Sequence, residues 1–270
     1  GPTPTVIKKM GDKLQAKEIA KKVNIPTLDT VEKVSLAKKI GFPLMIKAAA
    51  GGGGKGMRIV KDSASLKDAA SAAKREALSG FGDDRIFFER YIEKSRHIEV
   101  QILGDDKNVV HLGERECSIQ RRHQKIIEES PSTRLSEELR LNICEDAKRI
   151  AQAIKYTSAG TVEFLLDDKT GEYWFLEVNT RLQVEHPVTE EVTGVDIVQE
   201  QINIANKKSI SFLNNDAADL GHSFGHSIEV RIYAENPENY FLPESGEIFI
   251  YQPSELDGIR WESGINSGTK

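Results

Sequence analysis

The chain has little of what marks disulfide-bonded, membrane-spanning or nucleic-acid-binding proteins. Its 270 residues include only two cysteines, Cys117 and Cys144, which are too few for a disulfide framework and favour a reducing cytoplasm. No apolar run approaches the roughly 20 residues of a membrane span, so we expect neither a membrane segment nor a signal peptide. The net charge of −5 argues against nucleic acid as a partner.

What is present is typical of a globular chain with a large core. Hydrophobic residues make up 39% and charged residues 29% of the sequence, and one large or two modest domains are expected. The first part predicts a small α/β unit. A helix over 5–24 is stopped by Pro26, strands at 43–48 and 57–60 flank four glycines, and a helix over 63–79 ends at Gly80.

From residue 85 onward the pattern favours strands. Polar residues alternate with Ile98, Val100 and Ile102, which predicts a half-buried strand. Helices are predicted over 136–156, with Ser136 as the N-cap, and over 196–206. Further strands are expected at 227–234 and 247–251.

An acidic hairpin is the most informative stretch. The turn at 167–171 separates two apolar strands, and a hairpin centred on Thr170 would place Glu163 directly opposite Glu177. Two facing carboxylates among apolar neighbours favour a bound Mg²⁺ ion. The alternative is a pair of surface glutamates with the register shifted by one.

Polar residues continue this pattern beyond the hairpin. Glu177, Asn179, Arg181, Gln183 and Glu185 are all odd-numbered, so an extended chain would show them on one face. Such a row predicts a site for a small anion together with a metal ion rather than a core.

Four consecutive glycines precede Lys55 and Gly56, and Lys47 lies just before them. So many glycines predict a mobile loop whose amides close over phosphates. The spacing is neither that of a Walker A loop nor that of a protein kinase, since here a lysine precedes the glycines. A flexible linker is the alternative interpretation.

Together these residues resemble the ATP-grasp superfamily. Within it, residues 114–125 (Glu-Arg-Glu-Cys-Ser-Ile-Gln-Arg-Arg-His-Gln-Lys) and 177–190 (Glu-Val-Asn-Thr-Arg-Leu-Gln-Val-Glu-His-Pro-Val-Thr-Glu) are similar to signatures of the biotin carboxylases. Residues 10–13 and 260–263 match as well, so the resemblance runs the length of the chain. It implies an α+β ATP-grasp fold, with a small α/β lid subdomain and an antiparallel-sheet core with helices.

The resemblance implies a role for each matching position. The ATP-binding residues would be Lys13, Lys47, Gly52, Gly53, Gly54, Gly56, Met57, Glu89, Arg90, Tyr91, Ile92, His97, Gln120, His123 and Leu165. The metal ligands would be Glu163, Glu177 and Asn179, and bicarbonate would lie among Lys125, Arg181, Gln183, Val184 and Glu185. Glu185 would act as the general base, with Lys125, Arg181 and Arg260 also catalytic and Arg260 facing the ureido oxygen of biotin.

The implied activity is ATP-dependent carboxylation of biotin with bicarbonate, with Mg²⁺ or Mn²⁺ as cofactor. Expected partners are a biotin carboxyl carrier protein and a carboxyltransferase subunit, and the full-length enzyme is expected to be a homo-oligomer. The final acceptor could be an acyl-CoA, as in acetyl-CoA or propionyl-CoA carboxylase, or that of a pyruvate or urea carboxylase. A nucleotide-binding fragment without turnover remains the alternative.

The resemblance also implies an organisation of the chain. Residues 1–26 would be a helical linker, 27–88 the lid subdomain, and 89–270 the core and the start of a C-terminal domain. Because the family has further sequence on both sides, we expect this chain to be a central fragment.

Overall fold

The computed structural model describes residues 1–51, 56–122, 124–214 and 224–270. The chain divides into two compact units, Gly1–Val230 and Arg231–Lys270. The α-helices of the described residues are α1 Pro4–Gly11, α2 Lys13–Lys22, α3 Val34–Ala37, α4 Leu66–Phe81, α5 Glu137–Ala153, α6 His186–Thr193 and α7 Ile197–Ala205. Their strands are β1 Thr30–Val31, β2 Leu44–Ala48, β3 Arg58–Val60, β4 Ile86–Arg90, β5 Ser95–Gly104, β6 Val109–Arg121, β7 Gln124–Ser130, β8 Ser158–Asp167, β9 Tyr173–Asn179, β10 Ser227–Val230, β11 Glu235–Asn236 and β12 Leu242–Pro243.

The first unit opens with two helices where the sequence predicts one. Asp12 has extended backbone angles (φ −97°, ψ 107°), and its carboxylate accepts hydrogen bonds from the amides of Leu14 and Gln15. The prediction of one helix is wrong because this carboxylate acts as the N-cap of α2, a role for which aspartate is well suited.

A four-stranded antiparallel sheet follows, with the order β1-β4-β2-β3. Strand β2 is buried along its whole length, and α4 packs its alanine-rich face on the sheet. The helix ends at Gly82, whose φ of 70° is the left-handed conformation that glycine adopts without strain. The prediction that Gly80 ends α4 is therefore wrong, because the helix continues to Phe81 and Gly82 is the residue that caps it.

A six-stranded antiparallel sheet forms the larger part of this unit, with the order β10-β7-β6-β5-β8-β9. One of its faces is apolar: Ile98, Val100, Val162 and Phe164 are fully buried there and pack with side chains of α1, α2 and α5. The opposite face carries the polar residues of the same strands, including the fully buried Glu99, so the prediction of a half-buried β5 is wrong. Both faces of this strand are covered.

The predicted hairpin register is confirmed. Glu163 pairs with Glu177, and a β-bulge between Glu163 and Phe164 shifts the pairing nearer the turn. Because residues paired across antiparallel strands point to one face, both carboxylates project from the polar face of the six-stranded sheet.

The second unit contains β11, β12 and loops. The strand predicted at 247–251 is absent from this described segment, where only Ile248 exchanges backbone hydrogen bonds, with Gly268 and Thr269. Along the described ranges, no helix combines the length and the apolar composition needed to cross a membrane.

Candidate active site

A row of charged residues crosses the polar face of the six-stranded sheet. Glu177 on β9 pairs with Glu163 on β8, Glu163 with Glu99 on β5, and Glu99 with Arg115 on β6. Each strand therefore contributes one charged side chain at the same level. All of these except Glu177 are buried, so the charges must be satisfied by one another rather than by water.

Lys125 on β7 lies at the centre of this row. Its Nζ donates to Glu99 Oε2 at 2.5 Å, to Glu185 Oε1 at 2.6 Å and to Glu163 Oε1 at 3.0 Å. We call Glu99, Glu163 and Glu185, with Lys125 and Arg115, the carboxylate cluster. Burial lowers the pKa of Lys125, but the charges of Glu99 and Glu163 outweigh burial and raise this pKa above its ordinary value.

Glu163 is the most heavily bonded of the three carboxylates. Its Oε1 also accepts from Asn179 Nδ2 at 2.7 Å and from Gln183 Nε2 at 3.2 Å, and its Oε2 lies 2.7 Å from His97 Nε2. Burial raises the pKa of Glu163, but His97 and Lys125 more than offset this and hold the pKa well below its ordinary value. Glu163 is therefore ionised at neutral pH.

Glu99 is held between two cations. Its Oε1 accepts from Arg115 Nε at 2.5 Å, while its Oε2 accepts from Lys125. Burial raises the pKa of Glu99, but the two cations outweigh burial and lower the pKa to about 2.

The chain beyond β9 differs from the prediction. The extended conformation ends at Asn179. Glu185, the N-cap residue of α6, has backbone angles that are not those of a strand (φ −77°, ψ 9°). Gln183 and Glu185 nevertheless reach the cluster, because the turn before α6 folds them back towards the sheet. Arg181 does not reach it: this side chain is exposed, and its guanidinium contacts the carbonyl of Leu182 at 3.1 Å. The prediction that an extended segment aligns these side chains is wrong.

Both predicted phosphate-binding lysines, Lys13 and Lys47, are paired with acids. Lys13 Nζ lies 2.8 Å from Glu177 Oε2 and 2.5 Å from the carbonyl oxygen of Gly51, where the glycine loop begins. Lys47 on β2 contacts Glu89, which also contacts Lys17 of α2. We call Lys17, Lys47 and Glu89 the lysine cluster. Burial raises the pKa of Glu89, but the two lysines outweigh burial and lower it.

Most other residues predicted to bind the nucleotide lie near these two clusters, either on strands that pair with them or in side-chain contact with them. His97 faces Leu165 on β8, and His97 Nδ1 lies 3.1 Å from Gln120 Nε2. Glu89 and Arg90 end β4, Tyr91 donates its amide hydrogen to the carbonyl of Pro43, and Ile92 is buried.

All of these roles stay predictions, and so do those of the last group of predicted residues. Gly56 and Met57 come just before β3, and Val184 is exposed. Gly52, Gly53, Gly54 and His123 lie outside the described residues. Arg260 belongs to the second unit, where its Nε donates to Glu262 Oε1 at 2.7 Å.

The donor set of the hairpin suits a hard divalent cation. Glu163, Glu177 and Asn179 offer carboxylate and amide oxygens, which are ligands that Mg²⁺ prefers. Among the described residues, ligand atoms come within 4.8 Å of one another in the groups His97–Glu99–Glu163 and Glu99–Cys117–Glu185. Glu177 is in neither group, and its carboxylate contacts Lys13 instead. The residues present fit Mg²⁺ or Mn²⁺. Glu163 belongs both to the predicted ligands and to one of the two groups whose ligand atoms lie close together.

Sequence reasoning missed Glu99, Arg115 and Lys17. Glu99 had a usable signal, because it lies two residues from His97 and therefore on the same face of β5. Arg115 lies within the 114–125 signature but has no individual role there, and Lys17 belongs to no motif, because both roles depend on contacts between elements distant in sequence.

Comparisons with known proteins agree with this architecture. The family model described as "Carbamoyl-phosphate synthase L chain, ATP binding domain" matches residues 9–213. The mitochondrial propionyl-CoA carboxylase alpha chain of Homo sapiens is 49% identical over 280 residues, which is 100% of this chain and 38% of the relative. A biotin carboxylase of Nostoc is 48% identical over 274 residues, 98% of this chain and 60% of the relative.

Solved structures give the same result. A biotin carboxylase–βγ-ATP complex from Campylobacter jejuni has a TM-score of 0.93 at 42% identity, covering 100% of this chain and 61% of that one. The biotin carboxylase domain dimer of Hydrogenobacter thermophilus 2-oxoglutarate carboxylase, in complex with MgADP, ADP and bicarbonate, has a TM-score of 0.93 at 43% identity, covering 100% and 60%.

The chain therefore belongs to this family of ATP-binding domains. Over nearly its whole length it is similar to proteins named biotin carboxylase. The α+β ATP-grasp fold expected from the sequence is confirmed. The chain spans between 38% and 60% of the length of the two curated relatives named above.

Proposed function

We propose that the protein carboxylates biotin with bicarbonate at the expense of ATP, the first half-reaction of a biotin-dependent carboxylase. The observation that carries this proposal is the position of Lys125, whose ammonium group contacts Glu99, Glu163 and Glu185 at 2.5–3.0 Å. A lysine, a base and a metal-type carboxylate thus share one buried pocket with Gln183. Family membership supports the same chemistry.

The nucleotide would lie between the lysine cluster beside the four-stranded sheet and the carboxylate cluster on the six-stranded sheet. Lys13 and Lys47 would exchange their present carboxylate partners for phosphate oxygens, and the glycine amides of 52–54 and 56 would cover the phosphates. Main-chain groups at 89–92 would hold the adenine, with His97, Gln120, His123 and Leu165 nearby. The unit over 27–88 would act as the lid. The MgADP complex of the Hydrogenobacter relative supports nucleotide and metal at this site.

Mg²⁺ or Mn²⁺ would be held by Glu163, Glu177 and Asn179. When bound, the ion supplies positive charge that neutralises the phosphates. Our assignment of this ion rests on the facing carboxylates of the hairpin and on the oxygen character of the donors.

Bicarbonate would bind beside Lys125, Gln183 and Val184, with the guanidinium of Arg181 gripping it through two parallel hydrogen bonds. To do so, Arg181 must leave the carbonyl of Leu182. Glu185 would take the bicarbonate proton while a bicarbonate oxygen attacks the γ-phosphorus and ADP leaves with the electron pair of the broken P–O bond. The product, carboxyphosphate, would then break down to phosphate and carbon dioxide. The released phosphate would take the N–H proton of the ureido group, and the nitrogen would attack carbon dioxide. Arg260 would stabilise charge on the ureido oxygen.

Biotin would arrive on a carboxyl carrier protein, and a carboxyltransferase subunit would use the product. Of the candidate acceptors, acyl-CoA is favoured by residues 127–132, which resemble the acyl-CoA type of the family, and by the propionyl-CoA carboxylase relative. Acetyl-CoA carboxylase, with its role in fatty acid biosynthesis, and pyruvate or urea carboxylase are the alternatives. We further propose a homo-oligomeric full-length enzyme in the cytoplasm.

Bicarbonate-dependent ATP hydrolysis, with and without free biotin, tests the proposal. We expect hydrolysis to require bicarbonate and to rise when biotin is added. ATP binding without hydrolysis under both conditions would contradict the proposal and support a nucleotide-binding module without turnover.

A further inference from the structure

Arg115 is the most completely bonded side chain near the site, although no individual role is assigned to it within the 114–125 signature. Its side chain has no exposed surface, yet guanidinium carries five N–H donors that need acceptors. Five side-chain oxygens accept from it at 2.5–3.2 Å: those of Glu99, Gln101, Thr189, Thr161 and Gln183. Every donor of the guanidinium therefore has an acceptor.

We propose that Arg115 is a positioning residue that fixes the geometry of the bicarbonate pocket. This inference rests on the function proposed above. Arg115 donates directly to Glu99 and Gln183, so its effect on the reaction passes through the side chains it holds.

The contact with Gln183 sets the orientation of an amide. Arg115 donates to Gln183 Oε1 at 3.1 Å, so the amide must present its oxygen to Arg115 and its nitrogen to the other side. The nitrogen then donates to Glu163 Oε1 at 3.2 Å. Without Arg115, this amide could rotate and present the wrong group to a bound anion.

The contact with Glu99 orients Lys125. Arg115 Nε binds Oε1 of Glu99, which leaves Oε2 directed at Lys125 Nζ at 2.5 Å. The ammonium group that would bind bicarbonate is thereby held by a carboxylate that Arg115 itself fixes.

The contact with Thr189 ties α6 to the sheet. Arg115 Nη1 donates to Thr189 Oγ1 at 3.2 Å, and Glu185 lies just before the first residue of this helix. The position of the proposed base therefore depends on the same guanidinium. Through its hydrogen bonds to Gln183, Glu99 and Thr189, Arg115 therefore influences the positions of Gln183, Lys125 and Glu185.

Arg115→Lys is the direct test, because lysine keeps the charge but cannot reproduce the planar fork. In the complete natural chain, we expect kcat/KM for bicarbonate to fall about 100-fold, as for a reactant misplaced by about 1 Å, while KM for ATP is unchanged. Wild-type kcat/KM for bicarbonate in Arg115→Lys would overturn the proposal, since charge alone would then be sufficient.

Arg140→Lys is the matched control. Arg140 Nε donates to the buried Glu114 at 2.7 Å, so it too is an arginine serving a buried carboxylate, but its partners lie away from the carboxylate cluster. We expect bicarbonate KM to be unchanged in this variant. An equal change in both variants would show that Arg115 acts only on stability and would overturn the proposal.

Thr161→Val tests the inference if Arg115→Lys does not fold. This change keeps the shape of the side chain and removes one acceptor of Arg115. We expect bicarbonate KM to rise about threefold to tenfold, as for the loss of one hydrogen bond. An unchanged KM in a folded Thr161→Val protein, beside an active wild type, overturns this inference alone. A wild type without bicarbonate-dependent ATP hydrolysis overturns the proposed function and this inference together.

Discussion

The carboxylate cluster and the lysine cluster are both buried, but their charges are opposite. The first combines three carboxylates with Lys125 and Arg115, which leaves one negative charge. The second combines Lys17 and Lys47 with Glu89, which leaves one positive charge. Buried charge of either sign is costly unless it is compensated, so the first cluster favours a cation beside its carboxylates and the second favours an anion beside its lysines.

This difference accounts for how one ligand could engage both clusters. A magnesium–nucleotide complex carries a cation and a phosphate chain, which match the negative and positive clusters respectively. The comparison also separates two kinds of lysine, since Lys47 is the predicted phosphate ligand while Lys17 keeps Glu89 in place by an almost fully buried contact.

Removing the proposed base should have the largest effect on the carboxylate cluster. In Glu185→Ala we expect carboxylation to fall by about 10²–10⁴-fold, the usual contribution of a general base, while ATP still binds. Carboxylation rate and ATP affinity would be measured together. Glu191→Ala, at an exposed position of α6, is the control and should keep wild-type carboxylation. Near-normal turnover in Glu185→Ala would leave Glu185 a structural residue.

Arg181→Lys tests a residue that lies outside the carboxylate cluster but is proposed to bind the same bicarbonate. Because an ammonium group cannot bind an anion through two parallel bonds, we expect a marked rise in the KM for bicarbonate with unchanged thermal stability. The exposed position of Arg181 predicts the unchanged stability. Wild-type bicarbonate kinetics in this variant would remove Arg181 from the proposed site.

The two lysines of the second cluster should differ in what they change. Lys17→Met removes one partner of a buried ion pair, which typically costs about 3–5 kcal/mol in the free energy of unfolding. Lys47→Met should chiefly weaken ATP binding. Denaturant unfolding and nucleotide titration of both variants check this. Equal losses of ATP affinity would show that the two lysines have one role.

Acid should weaken the lysine cluster. The pKa of Glu89 is lowered in the folded state, so its contribution to stability is present above the ordinary carboxyl pKa and is lost as pH falls below it. We expect the free energy of unfolding to decrease from about pH 4.5 downward, and to decrease less steeply in Glu89→Gln. Parallel pH profiles for the two proteins would contradict this.

The sequence predicted the elements whose cause is local and failed where the cause is distant. Alternation and turn residues were enough to place Glu163 opposite Glu177, because hairpin register depends on neighbouring residues. The alternation of polar residues predicts an extended chain before α6, where the structure has a turn. Nothing local indicates that Arg115 and Lys125 bind Gln183 and Glu185 and hold them against the sheet. Arg115 was missed for the same reason, as its five acceptors come from four separate segments.

The central claim is that ATP activates bicarbonate at the carboxylate cluster, and heavy-oxygen-labelled bicarbonate tests it most directly. If a bicarbonate oxygen attacks the γ-phosphorus, that oxygen must stay on phosphorus when carboxyphosphate breaks down. We therefore predict one labelled oxygen in each phosphate released in the presence of biotin, detected by mass spectrometry. Phosphate without label, released at the same rate, would show that water rather than bicarbonate attacks ATP and would contradict the account.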